Sequence, residues 1–269
     1  MRRCADCEQK EIPPLPSETR LIVRGDDFGM CHSVNEGILR GFQEGILTQA
    51  SVMVPCPWFT EAAALAKAHG IPVGIHQTLT CEWDYLRWRP LTNGPSLADT
   101  DGTFYRTVAG AREAIVHAEA VAELLAQASR FTAEGLSIDY LDVHMGAVAP
   151  AAYAQVAQEL GELFLYSDLA RSRGLDSMDG LSERDGSGKK DWLLTYLSEL
   201  TPGLHMLVVH PAIGGPEIAS ITGPDSVPYR WAEEYRIADL ELLVDPDVTA
   251  LVKERGIELT TVAQTIASR

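Results

Sequence analysis

The stretch Leu21-Ile22-Val23-Arg24-Gly25-Asp26-Asp27-Phe28-Gly29 decides how this chain is read. Three apolar, partly β-branched residues predict a buried strand, and two adjacent carboxylates stand where it ends. Neighbouring acids repel each other and add nothing to packing, so at a strand mouth they make sense where a cation or a proton is handled. The alternative is a solvated turn, because Asp and Gly are ordinary turn residues. Residues farther along the chain decide between the two.

Working outward, Ser33 can cap a helix that carries Val34, Ile38, Leu39 and Phe42 at helical spacing. A strand is expected over residues 46–54, a helix from Trp58 to His69, and a strand over 71–79. Residues 80–107 lose periodicity and hold Trp83, Tyr85, Trp88, Pro90 and Asp101-Gly102, a long loop of the kind that carries function. One long helix is expected over 108–133, a strand over 137–143, a helix over 151–160 and a short strand over 163–166. The glycines and charges of 171–190 suggest a mobile segment. Then come a helix over 192–200, a strand over 206–209, helices over 231–243 and 248–254, and a last strand over 257–259. Strand and helix alternate without a repeat or a linker, which means a parallel sheet covered by helices, open or closed into a barrel. Residues 1–19, with Pro13, Pro14 and Pro16, read as an extended lead-in to a single domain over 20–269.

Composition bounds the function. With 269 residues, 46% hydrophobic and 22% charged, the chain suits one large α/β domain. A net charge of −16 argues against nucleic acid or an anionic membrane as partner, since either needs a basic face. The five cysteines are odd in number, and Cys4-x-x-Cys7 has no second pair to complete a zinc knuckle. Reducing conditions are therefore the default. Met1-Arg2-Arg3 leads into no apolar segment, and no apolar run has membrane-spanning length, so a cytoplasmic location is expected.

The chemistry gathers at strand ends. The first strand delivers Asp26 and Asp27, another runs Val73-Gly74-Ile75 into His76, a third runs Leu141-Asp142-Val143 into His144, and a fourth runs Leu207-Val208-Val209 into His210. In parallel α/β folds the active site lies at the C-terminal ends of the strands, so these four converge. His69, His117 and His205 read as structural, the first two on helices and the third ahead of its strand. His32 reads the same way, although it follows the Asp pair closely. One carboxylate and two imidazoles with open positions make a hydrolytic metal site, which leaves one Asp and one His as base and acid. Successive side chains at a strand end point in different directions, so one acid can bind the metal while the other stays free.

These residues resemble the YdjC-like carbohydrate deacetylases, the group that includes chitooligosaccharide deacetylases. Asp26-Asp27-Phe28-Gly29 with Asn35-Glu36-Gly37-Ile38 is similar to the family's opening signature. Val73-Gly74-Ile75-His76-Gln77-Thr78-Leu79-Thr80, Leu141-Asp142-Val143-His144 and Val209-His210-Pro211 resemble its later motifs in order. Pro95-Ser96-Leu97, Asp101-Gly102-Thr103-Phe104 and Arg236-x-x-Asp239 resemble further segments, so the likeness spans residues 20–265. The resemblance implies a single-domain distorted (β/α) barrel and a divalent cation held by Asp27, His76 and His144. It also implies hydrolysis of an N-acetyl group on a sugar, with Asp26 taking a proton from water and His210 protonating the leaving amine. Two imidazoles and a carboxylate favour Zn2+ or another transition ion, and the family also accommodates Mg2+.

The chain departs from the family in carrying Met145-Gly146 where a second histidine usually follows the third motif, Arg24-Gly25 where Asn-Ala is usual, and Gln77 after His76. Arg24 is a wall residue or a partner of Asp26. Trp83 and Trp88 suit stacking on sugar faces if exposed, or a lid or a contact with a second copy of the chain. Arg89 or Arg236 can hold a negatively charged substrate group, and Arg236 can instead pair with Asp239 at i, i+3 on a helix. A hydrolase for another small amide or ester, or a silent sugar-binding relative, uses the same residues.

Overall fold

The computed structural model describes residues 19–147, 150–166, 174–181, 188–226 and 228–265. In chain order the elements begin β1 (Thr19–Phe28), α1 (His32–Glu44), β2 (Gln49–Val52), α2 (Phe59–His69), β3 (Val73–Gln77), α3 (Val108–Ala114), α4 (His117–Ala133), β4 (Leu141–Val143) and α5 (Pro150–Leu160). They continue with β5 (Leu175–Gly180), α6 (Lys189–Glu199), β6 (Gly203–Val209), α7 (Pro216–Ala219), α8 (Tyr229–Ala232), α9 (Glu234–Leu243), α10 (Pro246–Glu254), β7 (Glu258–Leu259) and α11 (Val262–Thr265). The sheet order is β4-β3-β2-β1-β6-β5, and every pairing is parallel. One edge of β1 lies along β6 from Thr19 to Gly25. β7 pairs with β1 at Arg20 and Leu21, and β2 from Arg24 to Phe28. Phe164 extends the sheet beyond β4 through a single parallel bridge to Leu141. The expected α/β architecture is found: a parallel sheet curled into a half-barrel and surrounded by helices.

Two cores follow from strand alternation. Leu21 and Val23 face the helices, among Val34, Ile38, Ile75, Leu207 and Val209. Ile22 faces the other way, into the barrel, among Tyr140, Leu163, Leu175, Leu204, Met206 and Val262. The period of two then puts Arg24 and Asp26 on the same inner side as Ile22. The barrel interior therefore changes along β1 from hydrocarbon to charge, and the site begins where the hydrocarbon ends.

Several expectations are corrected. The helix over 108–133 is two helices, because Ile115 and the next residue, Val116, are both extended, while Thr107 caps α3 by accepting from the Gly110 N–H at 3.1 Å. The helix over 231–243 is likewise broken, at Glu233. Within the segment read as mobile, residues 175–180 form β5, paired with β6. Its sequence buries only Leu175, so the strand owes its form to the β6 ladder and has no apolar pattern to announce it. Residues 171–173 and 182–187 of that segment lie outside the described residues, as does the lead-in up to residue 18. His205 does not precede its strand but lies within β6, bonded to Ser177 Oγ at 2.9 Å. Ser33 is not a cap. Cys31 holds that position, and the Ser33 N–H and Oγ both donate to the Glu217 carboxylate, at 2.6 and 2.7 Å. Among the described residues no helix is long and apolar enough to cross a membrane.

Gly74 shows why β3 carries a glycine next to a site strand. A Cβ there would clash with three carbons along one edge of the Tyr140 ring, which is itself fixed because its hydroxyl donates to Ala50 O at 2.9 Å. Gly74→Ala should cost about 1–3 kcal/mol by overpacking, read as a lower urea midpoint. An unchanged midpoint would mean that the ring moves aside freely.

Candidate active site

The two acids reach one site through an irregularity in the strand. Register between β1 and β2 shifts between Gly25 and Phe28, and Asp27 has a φ of 69°. A left-handed residue other than glycine is uncommon, with Asp among the types that tolerate it, and it persists only where its surroundings hold it. Here Asp27 O accepts from the Met30 N–H at 3.0 Å, Phe28 O from the Met53 N–H at 2.8 Å, and Asn35 Oδ1 from the Gly29 N–H at 2.7 Å. The expectation that neighbouring acids diverge is therefore corrected: the bulge returns Asp27 to the side that already carries Asp26.

At the centre, Asp27 Oδ1 is buried without a hydrogen-bond partner, 3.5 Å from His76 Nε2 and 3.4 Å from His144 Nδ1. Each ring is held from behind: His76 Nδ1 lies 2.9 Å from Asp142 Oδ1, and His144 Nε2 lies 3.0 Å from Glu82 Oε2. The rings meet edge to face with centroids 5.2 Å apart. An orphaned carboxylate oxygen facing two imidazole nitrogens, each backed by a carboxylate, is a donor set that could hold a divalent cation. Asp27, His76 and His144 therefore fit the expected metal.

The electrostatics agree. Burial works against the charged form of Asp27, but Arg236 together with His144 and His210 holds its carboxyl well below the usual range. Burial also opposes charge on His144, yet Glu82 and Asp27 outweigh it and push the ring up to about 10. His76 is raised in the same way, against burial, by Asp142 and Asp26. The same carboxylates that would back a cation thus raise the proton affinity of both rings.

The remaining site residues arrive from several elements. Asp26 is not left free: Arg24 Nε and Nη2 donate to its two oxygens at 2.7 and 2.8 Å. His210 directly follows β6, and its backbone N–H donates to Asp239 Oδ2 at 2.8 Å while its ring stands edge-on to Trp231, centroids 6.0 Å apart. Burial lowers its proton affinity, although Asp27 and Asp26 pull the other way. Arg236 does not pair with Asp239. Its Nη2 donates to Asp27 Oδ2 at 2.6 Å and its Nε to Trp231 O at 2.7 Å, whereas Asp239 accepts from Lys189 Nζ at 2.6 Å. Both side chains are buried, so each is claimed by a partner across the core and not along the helix.

Asp26, Asp27, His76, His210 and Arg236 open into one cavity of about 1120 Å³, whose wall includes Trp83, Tyr166 and Trp231. The exposed aromatics expected at Trp83 and Trp88 are buried, at 1% and 3%. Trp83 lies under the Arg236 guanidinium, 5.6 Å from its carbon. Trp88 donates from its indole to Thr80 O at 2.9 Å and stands 6.4 Å from the His144 ring, behind the site. Tyr85 is the exposed aromatic of this loop. Asp84 pins the loop to Arg106, Thr222 and Gly223, making it a fixed wall. Arg89 donates to Gly102 O, and His32 pairs with Glu61 at 2.9 Å; neither lines the cavity. Met145, left-handed at φ 56°, is exposed on the cavity lip.

Sequence reasoning missed the orienting roles of Asp142 and Glu82. Asp142 was legible in principle, since it lies two residues before His144 on a strand. Glu82 stands in an aperiodic loop and gives no such signal.

Residues 20–254 match the model of the YdjC-like protein family. The chain is 33% identical over 251 residues to a carbohydrate deacetylase of Geobacillus stearothermophilus, covering 89% of this chain and 95% of that protein. It is 30% identical over 264 residues to a carbohydrate deacetylase of Thermus thermophilus, covering 87% and 89%. A solved structure from Enterococcus faecalis V583, named for cellobiose-phosphate cleavage, superposes with a TM-score of 0.75 at 22% identity, covering 91% of this chain and 98% of that one. That likeness establishes the fold.

The raised imidazoles set a sign. A folded-state pKa near 10 for His144, against an ordinary value of 6.5, contributes stability that is fully present below 6.5 and lost as pH rises through 10. The chelator-treated protein should therefore melt at falling temperature from pH 6.5 to 10. Binding of Zn2+ should tighten over the same range and release protons, since the ligands must be neutral imidazoles. Calorimetry in buffers of different ionisation enthalpy reads that release, and proton-independent binding would sink the ligand set.

Proposed function

The chain belongs to the YdjC-like protein family, and from that premise we propose that it removes an N-acetyl group from an amino sugar or short oligosaccharide. The observation that carries the proposal is the orphaned Asp27 Oδ1 between His76 Nε2 and His144 Nδ1, at the base of a cavity that also holds Asp26 and His210. The names of the relatives from Geobacillus stearothermophilus and Thermus thermophilus support the substrate class.

Asp27, His76 and His144 would hold the divalent cation, Zn2+ or Mg2+. When bound, that ion polarises the amide carbonyl and makes nearby water more acidic. The protein's own groups do the rest. Asp26 accepts one proton from the attacking water, whose oxygen bonds to the acyl carbon. The C–N bond then breaks, and His210 delivers a proton to the departing nitrogen, leaving acetate and the free amine. Burial lowers the proton affinity of His210, so a protonated ring gives its proton up readily. Arg236 keeps Asp27 ionised and turned toward the imidazoles. Trp83 and Arg236 form the cavity wall beside Asp27 against which the sugar packs, while Trp88 acts on the site by holding His144.

The purified protein with Zn2+ or Mg2+ should release acetate from one or more members of a panel of N-acetyl sugars, and a chelator should abolish the release. His210→Gln should lower kcat about 10²- to 10⁴-fold while leaving cation affinity unchanged. Asp27→Asn should weaken cation binding and lose activity together. A loaded protein that releases acetate from no sugar would overturn the activity; an Asp27→Asn variant that keeps both properties would overturn the ligand assignment.

A further inference from the structure

Arg24 has no part in the hydrolysis just described, yet its guanidinium is fully buried inside the barrel and touches both halves of the site. Nε and Nη2 grip the two Asp26 oxygens at 2.7 and 2.8 Å, while Nη1 stands 3.0 Å from Asp142 Oδ2. The other Asp142 oxygen holds His76 Nδ1 at 2.9 Å, and Ser51 Oγ donates to Oδ2 at 2.8 Å. Nη2 also reaches the Tyr166 hydroxyl at 3.4 Å, and Nη1 approaches Met206 Sδ at 3.7 Å.

A compact ammonium could neutralise two buried carboxylates, but it could not fix their planes. The planar fork of arginine does both, because parallel N–H groups set the orientation of a carboxylate as well as its charge. Asp26 is held in this way, and Asp142 is held between Arg24, Ser51 and His76. Asp26 Oδ2 then lies 3.9 Å from His76 Nε2, a separation spanned by one chain of contacts running Asp26–Arg24–Asp142–His76.

We propose that Arg24 is a positioning residue: it sets the plane of the Asp26 carboxylate and, through Asp142, the rotation of the His76 ring. The proton acceptor and one cation-holding nitrogen thus keep a fixed separation. The inference rests on the deacetylase reading for the role of Asp26, and on the cation site alone for the role of Asp142 and His76.

The test uses Arg24→Lys, which keeps the charge, Arg24→Gln, and Arg24→Gly with added methylguanidinium. Each is measured for melting temperature, Zn2+ affinity by calorimetry, and kcat and KM on an N-acetyl sugar that the parent protein hydrolyses. Folded Arg24→Lys should lose about 100-fold in kcat with little change in KM, as expected for a misplaced acceptor. Its Zn2+ affinity should fall about tenfold, as when the group behind a ligand is lost. Methylguanidinium should restore part of both properties to Arg24→Gly. A folded Arg24→Lys with kcat and Zn2+ affinity within twofold of the parent would overturn the proposal, whether or not Arg24→Gln folds. If the parent binds Zn2+ but hydrolyses no sugar, the deacetylase reading fails separately. The affinity of Arg24→Lys then decides the link to His76, with a loss supporting it and no loss overturning it.

Discussion

The left-handed backbone at Asp27 is the constraint on which the site depends. A regular strand end would aim Asp26 into the barrel and Asp27 away from it. The bulge between Gly25 and Phe28 cancels that alternation and brings a second carboxylate to the inner side. A strained residue persists only where neighbours over-determine it. Asn35 from α1, Met53 after β2 and Arg236 from α9 all bond to this turn, so three separate elements must be in place before Asp27 can face His76 and His144. The fold thus assembles the site and holds the strain in one set of contacts.

Charge balance explains what those contacts are for. Among the described residues at the centre, four carboxylates (Asp26, Asp27, Asp142 and Glu82) face two guanidiniums, Arg24 and Arg236. The carboxylates outnumber the guanidiniums by two in a largely buried site, an imbalance that is costly unless compensated. The proton affinity of both imidazoles is raised accordingly, against burial, by these carboxylates. Each acid of the pair also has its own guanidinium, Arg24 on Asp26 and Arg236 on Asp27.

What was legible in the sequence was what local pattern encodes. Apolar runs ending in His76, His144 and His210 marked three strand ends, and the Asp pair marked a fourth, because buried parallel strands read as hydrophobic stretches with their chemistry at the C-terminal edge. Interactions that bridge elements distant in sequence were not legible. Arg236 and Asp239 satisfy a helical spacing rule, yet each is drawn to a partner across the core, Asp27 and Lys189. Strand β5 was hidden because its ladder partner supplies the order that its own residues lack. The bulge at Asp27 was hidden because Asp in a left-handed conformation and Asp in a plain strand are spelled the same way.

The loop over residues 80–107 turns this limit into a physical point. Its aromatic content suggested a surface that meets sugar, but Trp88 is spent on packing behind His144, and Glu82 acts on the same ring through its far nitrogen. An aperiodic segment can do this because it is not bound to alternate its side chains between two faces. It is fixed instead by discrete anchors: Arg87 on the Cys81 and Phe104 carbonyls, and Glu123 of α4 on the Leu91 and Thr92 N–H groups. A loop pinned at this many points costs little further entropy when a ligand arrives, since the ordering was completed on folding. His144 is thereby held between a strand in front and a preordered loop behind. That arrangement fixes the orientation of a ring that follows a strand of only three residues.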